Sequence, residues 1–97
     1  MITAVNLAAY RIQIFEDEVL KSSITYSSIT QIVPVIITSS TNTTAPYTVL
    51  SSQYYVRLKL RSGMVEDIPL GNVGLAGWTN DAAGYTQAKS DIYDAFS

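Results

Sequence analysis

The chain contains neither cysteine nor histidine, and only 14% of its 97 residues are charged. Without cysteine it can form no disulfide, no thiolate nucleophile and no zinc–thiolate centre. Without histidine it lacks the commonest general base and the commonest metal ligand of proteins. The composition therefore excludes histidine-dependent hydrolases and metalloenzymes whose metal is held by imidazole.

The shortage of charge also bears on how the surface is used. Globular proteins typically have about a quarter of their residues charged, well above the fraction found here. The formal net charge is only −2, so copies of the chain repel one another weakly. This composition predicts a surface that neighbouring proteins largely cover. The alternative is an ordinary β domain with an exterior rich in serine and threonine.

The length predicts a single domain over residues 1–97. The longest apolar run, residues 32–37, is about a third of a membrane-spanning helix, and Pro34 within it favours an edge or bulged strand. Residues 1–10 lack the basic start and apolar core of a signal peptide. We therefore predict a soluble protein without a membrane segment, made in the cytoplasm.

The first half of the chain predicts β structure. Alternating side chains indicate a strand over residues 10–15, a turn at 16–18 and a return strand over 19–26. Residues 32–38 are rich in β-branched side chains and predict a strand that is buried on both faces. Residues 39–46 are small and polar, which predicts a mobile loop unless a partner orders it.

The most regular pattern in the chain places Arg57, Lys59 and Arg61 on one face of a strand and apolar residues on the other. Turn residues follow at 62–63, and a second extended pattern covers residues 65–70. These features predict a β-hairpin with one cationic and one apolar face.

A C-terminal helix is predicted over residues 79–96. Thr79 or Asn80 can cap its first amides, and Gly84 within it suggests a close approach to the sheet. One apolar stripe runs along it, formed by Tyr85, Ala88, Ile92 and Phe96. The predicted fold class is α+β, mostly β: an antiparallel β-sandwich or small barrel with a C-terminal α-helix.

The cationic row has two interpretations. Arg57, Lys59 and Arg61 could bind an acidic partner or a nucleic-acid backbone, or they could simply be a solvated face that discourages edge-to-edge pairing. The isoelectric point of about 4.7 disfavours nucleic acid. We predict that the row contacts an acidic face of a neighbouring subunit, and we add Tyr54 and Tyr47 to the predicted protein interface.

Catalytic chemistry has little support in the sequence. The acids at residues 16–18 lack the spacing of a calcium loop, and the Lys-Ser pairs at 21–22 and 89–90 lie among exposed polar residues. We predict that the chain is not an enzyme and binds no cofactor or metal.

The order of elements in the second half carries a resemblance. The hairpin LKLRSGMVEDIPLGNV, residues 58–73, is followed by a glycine-broken loop and by GWTNDAAGYTQAKSDIYDAF, residues 77–96. This arrangement resembles small phage-encoded virion structural proteins. The resemblance implies a capsid decoration, auxiliary or connector-type subunit, located in the virion, whose partners are capsid or other virion proteins and copies of itself. It supplies no catalytic residues.

Three functions remain as hypotheses. The first is a non-enzymatic structural subunit of a symmetric assembly, a homo-oligomer within a bacteriophage virion. The second is a stand-alone module that binds glycans or another protein through surface tyrosines. The third is a small regulatory or DNA-associated protein that works through the cationic row.

Overall fold

The computed structural model describes residues 2–42 and 48–96, and it confirms an α+β fold that is mostly β. Six strands precede a single α-helix, and a short 3-10 turn, Tyr26–Ser28, separates the third strand from the fourth. The elements are β1 (Ala4–Leu7), β2 (Arg11–Glu16), β3 (Val19–Thr25), β4 (Ile29–Asn42), β5 (Thr48–Leu60), β6 (Val65–Pro69) and α1 (Ala82–Phe96).

The strands form two antiparallel three-stranded sheets, ordered β1-β2-β3 and β4-β5-β6. A single apolar cluster joins the two sheets to the helix. Its fully buried members include Ile12 and Ile14 of β2, Val56 and Leu58 of β5, and Ile68 of β6. In each strand these residues alternate with more exposed ones, because successive side chains of a strand point to opposite faces. The predicted hairpin and its apolar face are confirmed.

The turn between β2 and β3 lies at Asp17 and Glu18, inside the predicted turn. Both residues have positive φ angles, 50° and 69°, as the tightest hairpin turns require. The Asp17 backbone N–H donates to the Thr3 hydroxyl oxygen at 2.9 Å, which holds the turn against the start of the chain.

The long hairpin of β4 and β5 is the feature that sequence patterns described least well. Its register runs from Ile29 opposite Leu60 to Asn42 opposite Thr48, whereas β6 pairs only with residues 55–59 of β5. Beyond that point the sheet is two-stranded, and the molecule extends 51 Å along its long axis against 27 and 26 Å across. We call this two-stranded part, residues 36–42 with 48–54, the ribbon.

The ribbon corrects two predictions. Residues 39–42 belong to β4 rather than to a mobile loop, and the rest of the predicted loop, 43–46, lies outside the described residues. The strand predicted over 32–38 is not buried on both faces, since Ile36 and Ile37 are 52% and 54% exposed. The prediction of an edge strand around Pro34 is confirmed, because β4 lies at the edge of its sheet.

The helix begins at Ala82 rather than at residue 79. Its cap is Asp81, whose Oδ1 accepts from the Gly84 backbone N–H at 2.7 Å and from the Thr79 hydroxyl at 2.7 Å. This arrangement replaces the predicted cap at Thr79 or Asn80. Gly84 allows a close approach to the backbone of Thr79.

One face of the helix packs on the core as predicted, through the buried Ala88 and Ile92. Trp78, just before the helix, is also buried, and its indole N–H donates to Asp91 Oδ2 at 2.8 Å. Within residues 2–42 and 48–96, no helix has the length and apolar character needed to cross a membrane.

Candidate interaction surfaces

The predicted cationic row does not present three equivalent charges. Arg57 pairs with Asp67 of the neighbouring strand β6, with Nε to Oδ1 at 2.8 Å and Nη2 to Oδ2 at 3.0 Å. The hydrogen bonds and the charge of Asp67 raise the pKa of the Arg57 guanidinium above its ordinary value. A two-pronged pair of this kind occupies the arginine within its own chain.

The other two cations lie nearer the end of β5. Arg61 Nη2 donates to the Ser27 carbonyl oxygen at 3.1 Å, which ties the hairpin turn to the 3-10 turn. Lys59 is exposed and lies between Gln31 of β4 and Val65 of β6 in the register. A partner that binds this face would therefore meet Lys59 first. The predicted contact with an acidic neighbour stays a prediction for Arg57, Lys59 and Arg61.

Of the two predicted interface tyrosines, Tyr54 is half-buried against the apolar core, and Tyr47 lies outside the described residues. The Tyr54 backbone is fully engaged. Its N–H donates to Asn80 Oδ1 at 2.7 Å, and its carbonyl accepts from the Leu70 N–H at 2.9 Å. Tyr54 therefore lies at the base of the ribbon, where the ribbon joins the rest of the molecule.

Asn80 closes the outer edge of β5 at this base. Its side-chain oxygen accepts from the Tyr54 N–H, and its side-chain nitrogen donates to the Ser52 carbonyl at 3.1 Å. One amide thus supplies the acceptor and the donor that an added strand would offer at these two positions. Gln53 reinforces the closure by donating to the Leu70 carbonyl at 2.9 Å.

The outer edge of β4 is protected near the core and open further along the strand. Near the core, the Tyr85 hydroxyl donates to the Ile32 carbonyl at 3.4 Å, and Pro34 offers no N–H. Past Pro34, in residues 36–42, no strand in the described part of the chain pairs with the outer side of β4. This distal half of β4 is an open strand edge.

The open edge is also uncharged. Every residue from 22 through 56 is neutral, with Lys21 and Arg57 as the charges that bound the stretch. Proteins usually protect free edges with charged side chains, especially lysine, because charge opposes pairing with another chain. Sequence reasoning missed this surface, although the long gap in charge was a visible signal for it.

A second exposed surface lies around the end of the helix, and we call it the aromatic patch. Tyr10, Tyr93 and Phe96 are 79%, 51% and 59% exposed. The rings of Phe96 and the buried Tyr26 pack edge to face, with their centroids 6.5 Å apart. A groove of about 210 Å³ adjoins it, lined by Tyr26, Ile29, Ile32, Ile92, Tyr93 and Phe96. No local sequence pattern predicts this cluster, because its members come from segments that are far apart in the chain.

Reactive groupings are scarce in the part of the chain that the structure describes. No three or more carboxylates come together there in a way that could hold a metal ion. Lys21, one of the nominal partners for a serine nucleophile, is exposed and lies 4.0 Å from Glu16 Oε2. Comparison of the chain with models of protein families, with curated proteins and with solved structures finds no match in any of the three.

Proposed function

We propose that this chain is a non-enzymatic structural subunit of a symmetric assembly, and that the assembly is a bacteriophage virion. The observation that carries the proposal is the ribbon. It projects from the core as two strands, exposes Ile36 and Ile37, and carries an open edge that no described strand of the same chain pairs with.

The energetics of the ribbon favour a partner. A two-stranded hairpin on its own is marginally stable in water, because it buries little apolar surface. Covering a large aliphatic side chain fully is worth about 1.5–3 kcal/mol, so covering the exposed halves of Ile36 and Ile37 would contribute roughly 1 kcal/mol each. An assembly supplies that cover, and the weak net charge of −2 opposes it little.

The size of the domain fits this use. A standard interface covers about 800 Å² per partner. The accessible surface of the described structure is 6169 Å², so each such interface would take roughly an eighth of it. A subunit with two or three neighbours would therefore have roughly a quarter to two fifths of its surface covered.

The virion assignment rests on the resemblance of residues 58–73 and 77–96 to small phage structural proteins. In the structure these segments form the β5–β6 hairpin and the capped helix, which hold the base of the ribbon through Asn80. We propose copies of the chain and capsid or other virion proteins as its partners, and the virion as its location.

The aromatic patch supports a second candidate function, that of a module that binds glycans or another protein. Tyr10, Tyr93 and Phe96 are exposed at one end of the molecule, and aromatic rings stack on sugars and on protein surfaces. The adjoining groove of about 210 Å³ is smaller than the pockets that usually hold small ligands, roughly 300–1,000 Å³. The ribbon therefore supports assembly more strongly than the patch supports ligand capture.

Sedimentation velocity over a wide concentration range tests the proposal. We expect the mass to rise above the 10.6 kDa of a single chain as concentration increases. Replacing both Ile36 and Ile37 by threonine should lower the association, and Tyr10→Thr in the aromatic patch serves as the matched control. A wild-type chain that stays monomeric throughout, alone and with purified capsid proteins, would contradict the proposal.

A further inference from the structure

We propose that the distal half of β4, residues 36–42, pairs antiparallel with the same segment of a second copy of the chain. The two β4-β5-β6 sheets would then join across a two-fold axis into one continuous sheet of six strands. This inference rests on the proposed function, since it names the contact through which copies of the subunit meet.

The sheet edges outside the ribbon are covered or protected in the described structure. Along β1, the Val5 N–H donates to the Val73 carbonyl at 3.2 Å, so a loop occupies that edge. The edge strand β3 carries Lys21, and β6 carries Glu66, Asp67 and Pro69. Charged residues and proline on an edge strand discourage an added strand.

In the described part of the sheet that contains the ribbon, the longest open stretch is residues 36–42 of β4, and the shorter stretch 48–51 of β5 also lacks a partner strand on its outer side. Asn80 closes β5 at Ser52 and Tyr54, and the core half of β4 is covered by the Tyr85 hydroxyl and interrupted by Pro34. What remains on the outer side of β4 is residues 36–42. At about 3.4 Å per residue, this stretch offers roughly 24 Å of edge.

The partner that best fits this edge is the edge itself. If it paired with β3 or β6 of another copy, Lys21 or Glu66 would lie beside a strand that carries no opposite charge. Pairing β4 with β4 places neutral residues against neutral residues on both sides. An antiparallel pair of identical strands also has two-fold symmetry, and two-fold dimers are the commonest symmetric assemblies.

Pro34 fixes which backbone groups point outward. Proline is tolerated in a sheet where its missing N–H would face away from the neighbouring strand. Residues two apart in a strand have the same orientation, so Ile36, Thr38 and Ser40 are expected to direct their N–H and C=O groups to the free side. These groups would form the new hydrogen bonds between the two copies.

This orientation allows a sharp test at Thr38. Thr38→Pro removes one outward N–H and is expected to leave the ladder to β5 intact, as Pro34 already does four residues earlier. Thr38→Val is the matched control, because it loses the same hydroxyl, which lies 3.3 Å from the Ser52 hydroxyl, and keeps the N–H. Thr38→Lys is an independent second variant that puts a charge on the edge.

Light scattering of the full chain gives the readout. We expect wild type and Thr38→Val to reach twice the mass of one chain, and Thr38→Pro and Thr38→Lys to need at least tenfold higher concentration to do so. Hydrogen exchange should show slower exchange over residues 36–42 when wild type dimerises. The near-ultraviolet signal of Trp78 verifies that each variant has kept its core.

The possible failures are separable. If wild type assembles and both edge variants assemble equally well, the inference is wrong and the proposed function stands on another surface. If wild type remains a monomer but residues 36–42 become protected when capsid proteins are added, the edge binds a different chain and the self-pairing is wrong. If wild type stays monomeric and unprotected in both cases, the proposed function fails as well.

Discussion

Replacing Gly84 by alanine should destabilise the protein, although a rule based on helix propensity predicts the opposite. Gly84 is the third residue of α1 and is buried. Alanine is favoured over glycine inside a helix by about 1 kcal/mol, so an unconstrained site would gain that amount. The sign of the measured change therefore reports on the packing of this position.

The structure indicates that packing decides the outcome. A Cβ atom built on Gly84 would fall far inside van der Waals contact with the carbonyl oxygen of Thr79. Since the obstacle is backbone rather than a flexible side-chain end, the turn from Thr79 to Asp81 would have to move. That movement would disrupt the hydrogen bond from the Gly84 N–H to Asp81 and shift the adjoining Trp78.

Overpacking of this kind typically costs 1–3 kcal/mol, and the upper part of that range applies where backbone must shift. Subtracting the propensity gain of about 1 kcal/mol leaves a net loss of roughly 2 kcal/mol. For a domain of this size, such a loss lowers the melting temperature by roughly 10 °C.

Chemical denaturation followed by circular dichroism and Trp78 fluorescence measures the effect. Ser90→Ala, at an exposed position of the same helix, is the matched control and should gain a few tenths of a kcal/mol. A Gly84→Ala variant as stable as wild type, or more stable, would refute the close approach between the helix and Thr79.

Two further predictions concern the residues next to this helix start. Hydrogen bonds, first from the Thr79 hydroxyl and then from the Gly84 N–H, lower the pKa of Asp81 from its ordinary 3.8. The ionised Asp81 carboxylate therefore contributes its full stability above about pH 4, and this contribution is lost as the pH falls through the lowered pKa. Asp81→Asn keeps a good cap without the charge, and acid titration by circular dichroism should show a smaller acid loss in this variant. Asn80→Ala should reopen the edge of β5, with faster hydrogen exchange at the Tyr54 backbone amide and stronger aggregation than wild type. Unchanged exchange at the Tyr54 amide would show that the Asn80 side chain does not close the edge.

Sequence patterns anticipated the parts of the fold in which short-range periodicity and burial agree. The alternation around Val56 and Leu58 gave the β5–β6 hairpin, and the spacing of Ala88 and Ile92 gave the buried face of the helix. The turn at Asp17 and Glu18 was anticipated because a run of charged residues between two alternating segments has few other structures available. In each case the residues that carry the pattern are neighbours in the chain.

The errors arose where distant parts of the chain decide the outcome. Residues 39–42 look like a loop by composition, yet pairing with β5 makes them a strand. Ile36 and Ile37 look like core by hydrophobicity, yet no third strand or second layer reaches them in the described structure. The aromatic patch and the closure by Asn80 join segments far apart in sequence, so no local pattern could predict them.

The ribbon edge and the aromatic patch are not equivalent surfaces, and the chemistry of the sheet edges explains the difference. Exposed aromatic residues are common on small domains, so the aromatic patch alone does not distinguish a binding site from ordinary surface. In contrast, three different groups form hydrogen bonds to the backbone at strand edges: the Val73 carbonyl, the Asn80 side-chain amide and the Tyr85 hydroxyl. Because Asn80 closes β5 at the base of the ribbon and the Tyr85 hydroxyl covers the core half of β4, the open and neutral residues 36–42 are best explained as a place where another strand belongs.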